Sequence, residues 1–483
     1  MGKKLQMILI SLFTIILASF FIRIVNLDYN SPFSDEAIYV VIGKMGVFEG
    51  DWKTLVPFEW MAGAPYFYPS VSALAFEFGG IEASRFVNVI LFILTTFLIY
   101  RLTYLLREGS EKDKGLAGLV AAAITAGSSV GFYVSRLATY DMPSFFFLTL
   151  GLYFFALAEQ SRILPGRKYI LSAIFLLIAF LFKYIVAIYI PFLLVFSYLR
   201  GKTKYRKRAT LIYFALPVVA TLLFFGVSQF NNLSIYIGEQ SALELKSPLG
   251  EILKLFVNES ILVLPFWVIG SFGFFRNRKV KAWALLTMFS GIIVFFHLLT
   301  QRLHTFDKHM FLSIGSLAVA AGLGISFLLE STRKQEKRKI YTKVLILAIL
   351  ICWVYSFVDS QQYNRAWVNA YPVMDFVEAN SRPKDIVISE IGAITQLGLY
   401  PKTSPESVFT FDWIYYDDLE GKEALVHGVN DGYFDTIILS SQNDAKSDMN
   451  FEMHKLVVES RDFNRIYSNV YGDDHFEVYK RNY

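Results

Sequence analysis

Residues 168–199 read KYILSAIFLLIAFLFKYIVAIYIPFLLVFSYL, an apolar stretch of 32 residues between two basic segments. As one helix it would be about 48 Å long, well beyond the hydrocarbon thickness of a bilayer. Lys and Arg in short loops mark the cytoplasmic side of a membrane, and both flanks of this stretch are basic. The stretch is therefore predicted to cross a membrane twice, with a turn near Phe182-Lys183-Tyr184.

Comparable apolar runs recur along the first three quarters of the chain, of which 54% is hydrophobic and 18% charged. Backbone polar groups in lipid must bond within their own segment, so these runs are predicted to be helices. The sequence predicts an α-helical polytopic membrane protein with about eleven crossings, at residues 5–25, 84–106, 115–132, 142–158, 168–182, 184–199, 209–227, 260–275, 282–299, 310–330 and 341–358.

The basic loops fix the predicted orientation. Arg200–Arg208 alone carries six Lys or Arg and no acid, and with eleven crossings every basic cluster falls on one side. That side is predicted to be cytoplasmic, as is the N-terminus, in the plasma (cytoplasmic) membrane. Met1–Val25 has the basic start and apolar body of a signal peptide, but we interpret it as a retained first helix.

The predicted outer side is acidic. The first loop, residues 26–83, holds eight Asp or Glu against two Lys, and the chain from Ser360 holds 20 Asp or Glu and 11 Lys or Arg. That tail has a net charge of −9. Because the whole chain has a net charge of +5, the membrane part has a net charge of +14. The basicity thus reflects the cytoplasmic loops, and no nucleic-acid partner is predicted. The single cysteine, Cys352, excludes an intrachain disulfide.

The tail is predicted to be a small α/β domain. Short strands are expected at 385–390 and 436–441, helices at 364–380 and 448–460, and a last hairpin at 466–480. We expect a single layer of helices on one sheet, serving as a lid or as a docking module for an acceptor. The predicted domains are a transmembrane catalytic domain, residues 1–358 with its outer loop 26–83, and an extracytoplasmic domain, residues 359–483.

An acidic pair follows the first crossing, in Ser34-Asp35-Glu36-Ala37-Ile38-Tyr39. Ser34 is a good N-cap, and the helix dipole favours carboxylates in the first turn. The apolar stripe that follows predicts a helix lying on the membrane surface, with its acidic start at the mouth of the helix bundle. The alternative is that both acids only cap this helix.

Two more segments on the same side carry distinctive residues. Gly63-Ala-Pro-Tyr-Phe-Tyr-Pro69 precedes a short amphipathic stretch, Ser70–Phe78, and Arg85 then opens the second crossing. In the next outer loop Arg136 is followed by Asp141, at the start of a crossing. An ionisable residue that faces the interior of a membrane bundle is a candidate functional residue.

This set of segments resembles the GT-C membrane glycosyltransferases, the superfamily of protein O-mannosyltransferases and lipid A aminoarabinose transferases. The resemblance covers most of residues 1–330 and includes the late loop His304…Lys308-His309. Ala64-Pro65 stands where relatives often have two prolines, and Lys308-His309 where they commonly have Arg-Tyr.

The resemblance implies transfer of a sugar from a polyprenyl phosphate, dolichyl or undecaprenyl, to an acceptor on the outer face, with inversion. Asp35 would take the proton of the attacking hydroxyl, with Glu36 and Asp141 as further catalytic residues. Cationic side chains would stabilise the charge on the departing phosphate. The residues assigned to the donor phosphate or sugar are Tyr39, Tyr66, Arg136, Lys183, Arg302, His304 and Lys308.

Other roles for these residues are open. The mechanism requires no metal, although Asp35, Glu36 and Asp141 could together hold a divalent cation. Lys183 could instead extend to the interface, and Arg136 could pair with Asp141. His297 and His304 could be hydrogen-bonded wall residues.

Three rival functions also fit a chain of this kind. A secondary transporter would carry repeats and midplane charges, and neither is visible here. A lipid-linked oligosaccharide ligase or polymerase would need a large basic outer loop, which 228–259 is not. An inactive scaffold would be unaffected by Asp35→Asn. The sugar, and whether the acceptor is a protein, a lipid or a polysaccharide, stay open.

Overall fold

The computed structural model describes residues 3–54, 61–161, 165–200, 204–242, 246–303, 306–332, 334–363, 367–411, 414–440, 448–471 and 474–482. In chain order, its helices are α1 (Lys3–Ile24), α2 (Ser34–Lys44), α3 (Phe67–Leu106), α4 (Glu111–Ala126), α5 (Ser129–Ser135), α6 (Asp141–Gln160), α7 (Pro165–Phe182), α8 (Tyr189–Arg200), α9 (Lys204–Thr210), α10 (Leu216–Ser228), α11 (Phe230–Ala242), α12 (Leu249–Ser260), α13 (Leu264–Arg276), α14 (Val280–Thr300), α15 (Phe306–Glu330), α16 (Gln335–Tyr363), α17 (Tyr371–Asn380), α18 (Gly392–Leu399), α19 (Gly421–Asn430) and α20 (Asp448–Glu459). The strands are β1 (Val387–Ser389), β2 (Val408–Thr410), β3 (Tyr415–Tyr416), β4 (Leu419–Glu420), β5 (Thr436–Ser440), β6 (Phe463–Tyr471) and β7 (Asp474–Arg481).

The predicted membrane helices are present. Within the described ranges, eight helices are long and apolar enough to cross a membrane, or up to ten if each of two bent pairs forms one crossing. The bent pairs, α4–α5 at 65° and α12–α13 at 86°, fall on the predicted crossings 115–132 and 260–275. The eleventh predicted crossing, 184–199, coincides with a shorter apolar helix, Tyr184–Ser197. The predicted fold class, a polytopic helical protein with a small C-terminal α/β domain, is confirmed.

The chain forms two compact units. The first contains Met1–Leu27, Phe58–Phe67 and Arg85–Tyr363, and the second contains Asp28–Pro57, Tyr68–Ser84 and Asn364–Tyr483. Most of the first outer loop therefore folds with the C-terminal domain, whereas the sequence had suggested that it belongs to the transmembrane domain. The reason lies in the apolar stripe of α2, described below.

The first unit is a helix bundle whose basic loops gather at one end. Lys279 pairs with Glu108 at 2.9 Å and Arg338 with Asp113 at 3.3 Å. The Arg107 guanidinium, at the end of α3, pairs with Glu330 at the end of α15. These contacts join loops far apart in the sequence, as expected if positive loops share one membrane face.

The second unit contains a five-stranded sheet in the order β2-β1-β5-β7-β6, with β1 parallel to β2 and β5, and β7 antiparallel to β5 and β6. One face packs on α2, α17 and α18, and the other on α19 and α20. The prediction of one layer of helices was wrong. Strand β5 is buried at every position, and such a strand needs cover on both faces.

The first-loop helices also pack inside the second unit. The stripe Ala37, Val40, Val41 and Met45 is at most 5% exposed and joins the core formed with α17 and α18. The predicted helix is there, but its apolar face contacts protein and not a lipid surface. The close approach of α2 and α3 needs Gly43, because a Cβ there would lie 2.0 Å from the Pro69 carbonyl oxygen.

Helix α3 is two helices that meet at Gly79-Gly80. Gly80 has φ 63° and ψ −156°, a conformation that only glycine adopts without strain. The predicted amphipathic stretch Ser70–Phe78 is the segment before this kink.

Residues 228–259, the predicted connection between two crossings, are largely helical. They contain α11 and most of α12. Leu249, Leu253 and Val257, spaced four residues apart on α12, are exposed, while Ile252 packs with Phe306 and Met310. The sequence of α12 therefore has the helical periodicity that places some apolar residues on an exposed face and others on a buried one.

Candidate active site

A buried ion pair lies where α6 begins and α7 ends. The Lys183 ammonium donates to Asp141 Oδ1, and the Thr139 hydroxyl donates to Asp141 Oδ2 at 2.8 Å. The two charged side chains are 3% and 4% exposed. The alternative that Lys183 extends to the interface is therefore wrong, and so is the pairing of Asp141 with Arg136.

Lys183 is placed by a break in the helix. Its backbone is extended, with φ −151° and ψ 116°, between the end of α7 and a 3-10 turn at Tyr184–Ile188. The Tyr184 N–H donates to the Ala62 carbonyl at 2.7 Å, and the Ala64 N–H donates to the Leu181 carbonyl at 2.7 Å. Residues 62–64 thus supply the hydrogen bonds that the interrupted helix lacks.

Gly63 allows this contact, because a Cβ at Gly63 would lie 2.1 Å from the Phe182 carbonyl oxygen. Gly63–Pro69 and Phe182-Lys183-Tyr184, two distinctive segments far apart in the sequence, therefore form one structural feature.

Asp141 is placed by the loop before it. The Asn88 side-chain amide donates to the Leu137 carbonyl oxygen, and to that of Thr139 at 2.8 Å. The Arg136 guanidinium donates to the Val25 and Asn26 carbonyl oxygens. Arg136, predicted to bind the donor, therefore ties this loop to the end of α1.

Two buried arginines support the same region. Arg23 is fully buried between the rings of Phe92 and Phe132, each 3.9 Å from its guanidinium carbon, and donates to the Ser135 hydroxyl. Arg85 donates to the Leu27 carbonyl at 2.7 Å. Arg23 is not among the predicted site residues, although an arginine inside an apolar run is itself a signal of a functional or structural role.

A pair of histidines lies near the ion pair. His297 Nδ1 is 2.8 Å from the Arg302 carbonyl oxygen, and His297 Nε2 is 2.9 Å from His309 Nδ1. Because a carbonyl only accepts, His297 Nδ1 carries a proton, and a neutral His297 accepts from His309 Nδ1 through its Nε2. Lys308 acts electrostatically on Asp141, and Lys183 acts on His297, so these side chains form one cluster.

The cluster lies at the end of the bundle opposite to the basic loops. Helix α6 begins at Asp141 and ends next to Ser161, to which Lys168 donates. Helix α15 begins beside Lys308 and ends at Glu330, the partner of Arg107. Arg302 and Lys308 are half-buried here. His304 lies outside the described residues.

The acidic pair at the start of α2 belongs to the second unit. Ser34 is the first helical residue and not the N-cap, a position taken by Phe33. Glu36 is buried, and its Oε2 accepts from the Phe33 N–H at 2.8 Å. The capping alternative thus describes Glu36, while Asp35 is half-exposed in the same turn.

Tyr39, one helical turn after Asp35, is 5% exposed and packs edge-on against Tyr68 at 5.4 Å between ring centroids. Tyr66, also assigned to the donor, is 42% exposed. The assignments of Asp35, Tyr39 and Tyr66 stay predictions.

The divalent cation proposed on Asp35, Glu36 and Asp141 stays a prediction. No group of three or more His, Cys, Asp or Glu that could hold a metal is found in the described ranges, which include Asp35, Glu36 and Asp141. The Asp141 carboxylate already accepts from Lys183 and Thr139, and the Glu36 carboxylate accepts from Phe33.

Known structures share this architecture. ArnT from Cupriavidus metallidurans in the apo state matches 97% of this chain over 97% of its own, with a TM-score of 0.66 and 11% identity. ArnT bound to undecaprenyl phosphate matches 96% of this chain over 97% of its own, with a TM-score of 0.62 and 12% identity. The archaeal oligosaccharyltransferase AglB from Archaeoglobus fulgidus, with an inhibitory peptide and a dolichol-phosphate, matches 92% of this chain over 70% of its own, with a TM-score of 0.61 and 14% identity.

These likenesses define the class: the chain has the fold of the GT-C membrane glycosyltransferases. Within that class, residues 64–227 match the family described as dolichyl-phosphate-mannose-protein mannosyltransferase. No curated protein matches the chain. The predicted resemblance to protein O-mannosyltransferases and lipid A aminoarabinose transferases is confirmed.

Proposed function

We propose that the protein moves a sugar from a polyprenyl phosphate, dolichyl or undecaprenyl, to an acceptor on the membrane face opposite its basic loops. The observation that carries this proposal is the cluster of Asp141, Lys183, Lys308 and the two histidines at that end of a GT-C bundle. A preorganised set of cations is what a departing phosphate monoester requires. That face would be the outer one, with the N-terminus and the basic loops in the cytoplasm.

The phosphate would meet the exposed part of the cluster. Lys183 is already paired with Asp141, so its charge is partly balanced. Lys308 and Arg302 are only half-buried and are the cations best placed to stabilise the phosphate oxygens. Lys183 would hold Asp141 and add to the positive potential.

The sugar would be transferred in one displacement. The acceptor oxygen forms a bond to the anomeric carbon as the bond from that carbon to the phosphate oxygen breaks, which inverts the configuration. Asp35 would accept the proton of the acceptor hydroxyl. Its support is a half-exposed carboxylate in the first turn of α2, where the Glu36 carboxylate is held by the backbone. This mechanism requires no divalent cation.

A deletion strain tests the proposal. Mass spectrometry would compare surface glycans and glycoproteins after complementation with the wild type, Asp35→Asn, Lys308→Gln and the control Asp51→Asn. Asp51 is a half-exposed acid of the same loop whose carboxylate accepts from the Lys53 N–H at 2.9 Å, so its variant should behave as the wild type. Asp35→Asn should lose the modification, and normal modification by Asp35→Asn would exclude Asp35 as the base.

The purified protein gives the second readout. Incubation with a panel of sugar-linked undecaprenyl and dolichyl phosphates, and with a membrane extract of the deletion strain as the source of acceptor, should move the sugar to the acceptor hydroxyl and release the free polyprenyl phosphate. Failure of every donor to yield polyprenyl phosphate, together with substrate uptake by proteoliposomes, would support the transporter alternative.

A further inference from the structure

The first unit encloses a long apolar cavity of about 400 Å³. Its walls are side chains of α3, α6, α8, α14 and α15, most of them Leu, Ile, Val and Phe. The lining runs from Phe145 to Gln160 on α6 and from Leu312 to Phe327 on α15. Fifteen residues of helix correspond to roughly 22 Å, so the cavity extends through most of the bundle.

An aromatic layer lies between this cavity and the level of the Asp141–Lys183 pair. The Phe145 and Phe311 rings lie 4.3 Å apart, and the Phe311 ring stacks on Phe92 at 5.9 Å. Phe145 comes one turn after Asp141, and Phe311 comes directly before the cavity lining of α15. The cavity is therefore a compartment distinct from the candidate active site.

The other end of the cavity is polar and reaches the basic loops. Glu108, Gln160, Lys279 and Lys281 line it there. Lys279 is paired with Glu108, whereas exposed Lys281 makes no ion pair with any residue in the described ranges. This end can therefore hold an anionic group.

A buried carboxylate also lines this end. Glu159 is 8% exposed, and its Oε1 accepts from the Tyr169 hydroxyl at 2.7 Å and the Ser197 hydroxyl at 2.8 Å. Its Oε2 is buried and has no hydrogen-bond partner within the described part of the chain. Leaving a buried acceptor unmet costs free energy, so a donor from a bound molecule would stabilise this oxygen.

We propose that this cavity holds one hydrocarbon chain of a membrane phospholipid that enters from the leaflet on the side of the basic loops. The lipid phosphate contacts Lys281, and a hydrogen-bond donor of the head group, an ammonium or a hydroxyl, contacts Glu159 Oε2. The length of the cavity, its apolar walls and the cation and acceptor at one end together match such a lipid. This site lies at the end opposite to the sugar-transfer cluster and does not depend on the proposed reaction.

A photoreactive lipid tests this proposal. The full-length protein would be placed in nanodiscs with phosphatidylethanolamine or phosphatidylcholine that carries a diazirine near the end of one chain, and labelled peptides would be mapped by mass spectrometry. Phosphatidylethanolamine should label the α15 wall, residues 312–327. Phosphatidylcholine, whose head group has no hydrogen-bond donor, should label it less. Label confined to exposed residues of α10, such as Leu223 and Phe224, would overturn the proposal.

Two adjacent residues of α6 give a matched pair of variants. Leu152 lines the cavity and Tyr153 does not. Leu152→Trp should lower the labelling of the wall at least ~10-fold, and Tyr153→Trp should leave it unchanged. Equal labelling of the two variants would contradict a chain in the cavity.

Charge variants keep the test valid should Leu152→Trp fail to fold. Lys281→Gln is at the surface and should lower labelling roughly fivefold, equivalent to about 1 kcal/mol, whereas Lys337→Gln, exposed but outside the lining, should not. Glu159→Gln should abolish the preference for phosphatidylethanolamine over phosphatidylcholine.

A competing lipid gives a further test. Suppression of the wall label by equimolar undecaprenyl phosphate would assign the cavity to the tail of the donor and overturn the proposal.

Discussion

At the scale of single residues, the Asp141–Lys183 pair decides how the candidate site is built. Two opposite charges out of water are stable only together, because each compensates the desolvation of the other. The Thr139 hydroxyl and the hydrogen bonds of Asn88 to the preceding loop fix the carboxylate. The pair therefore joins the start of α6 to the end of α7.

We expect Lys183→Met to destabilise the protein by about 3–5 kcal/mol, because Asp141 would be left buried without a counter-ion. The double variant Asp141→Asn/Lys183→Met should be more stable than Lys183→Met. The control Lys114→Met removes an exposed pair with Glu111 and should cost at most about 1 kcal/mol. Thermal unfolding of the purified variants measures this, and equal stability of Lys183→Met and Lys114→Met would contradict the structure.

The residue types of the candidate site could be predicted from the sequence, but their partners could not. Lys183 and Asp141 stood out as charges inside or beside apolar runs. The choice of Lys183 over Arg136 as the partner of Asp141 depends on the break after α7, which residues 62–64 stabilise from far away in the sequence. The pairing of His297 with His309 likewise depends on how α14 and α15 pack.

At the scale of secondary-structure elements, the kink of α3 at Gly79-Gly80 constrains the backbone near the end of the first loop. Gly80→Ala should destabilise the protein by about 1–3 kcal/mol, because alanine is strained at φ 63° and ψ −156°.

Gly79→Ala is the matched control for this kink. Gly79 has an extended φ of −174°, and its added Cβ would come 3.2 Å from the Ala83 Cβ, a contact that small shifts relieve. Thermal unfolding should rank Gly79→Ala closer to the wild type, and the reverse order would contradict the kink.

The last hairpin should be sensitive to acid. Burial raises the pKa of Glu477, but hydrogen bonds from Tyr479 and Arg465 outweigh it, and the pKa lies below its ordinary value. His454 and His475 also face this carboxylate, at 3.8 and 3.9 Å. A lowered pKa means that ionised Glu477 stabilises the folded hairpin above the pKa of the unfolded chain, about 4.3, and that this stabilisation is lost as the pH falls through the folded pKa.

Hydrogen exchange of β6 and β7 in the full-length protein would show this loss. Glu477→Gln should increase exchange at pH 7, and the difference from the wild type should shrink below about pH 4. A difference in exchange that grows as the pH falls would contradict a lowered pKa of Glu477 in the folded protein.

At the scale of the whole molecule, the orientation in the membrane can be tested through the single cysteine. In a Cys352→Ala background, Lys337→Cys and Lys455→Cys place one thiol in a basic loop and one in the C-terminal domain, both at exposed positions. An impermeant maleimide should label Lys455→Cys in intact spheroplasts and Lys337→Cys only in inverted vesicles. Labelling of both on the same side would contradict the orientation.

The helices of the bundle could be predicted from the sequence, because every segment that crosses lipid must satisfy its backbone polar groups within itself. All eleven predicted crossings fall on an apolar helix or a bent pair. The C-terminal domain was less predictable: β5 and the last hairpin were found, but α18, α19 and β2 are short and acquire their structure from contacts across the sheet. Periodicity likewise showed that α2 has an apolar stripe, but not what would cover it.

The union of α2 with the last quarter of the chain has a consequence for biogenesis. Val40 and Val41 emerge early from the ribosome, yet the α18 residues that cover them are made roughly 350 residues later, about 20–70 s at ordinary elongation rates. During that interval the apolar stripe of α2 lacks its α18 cover, so we expect this helix to stay exposed to non-native contacts until the C-terminal domain is synthesised.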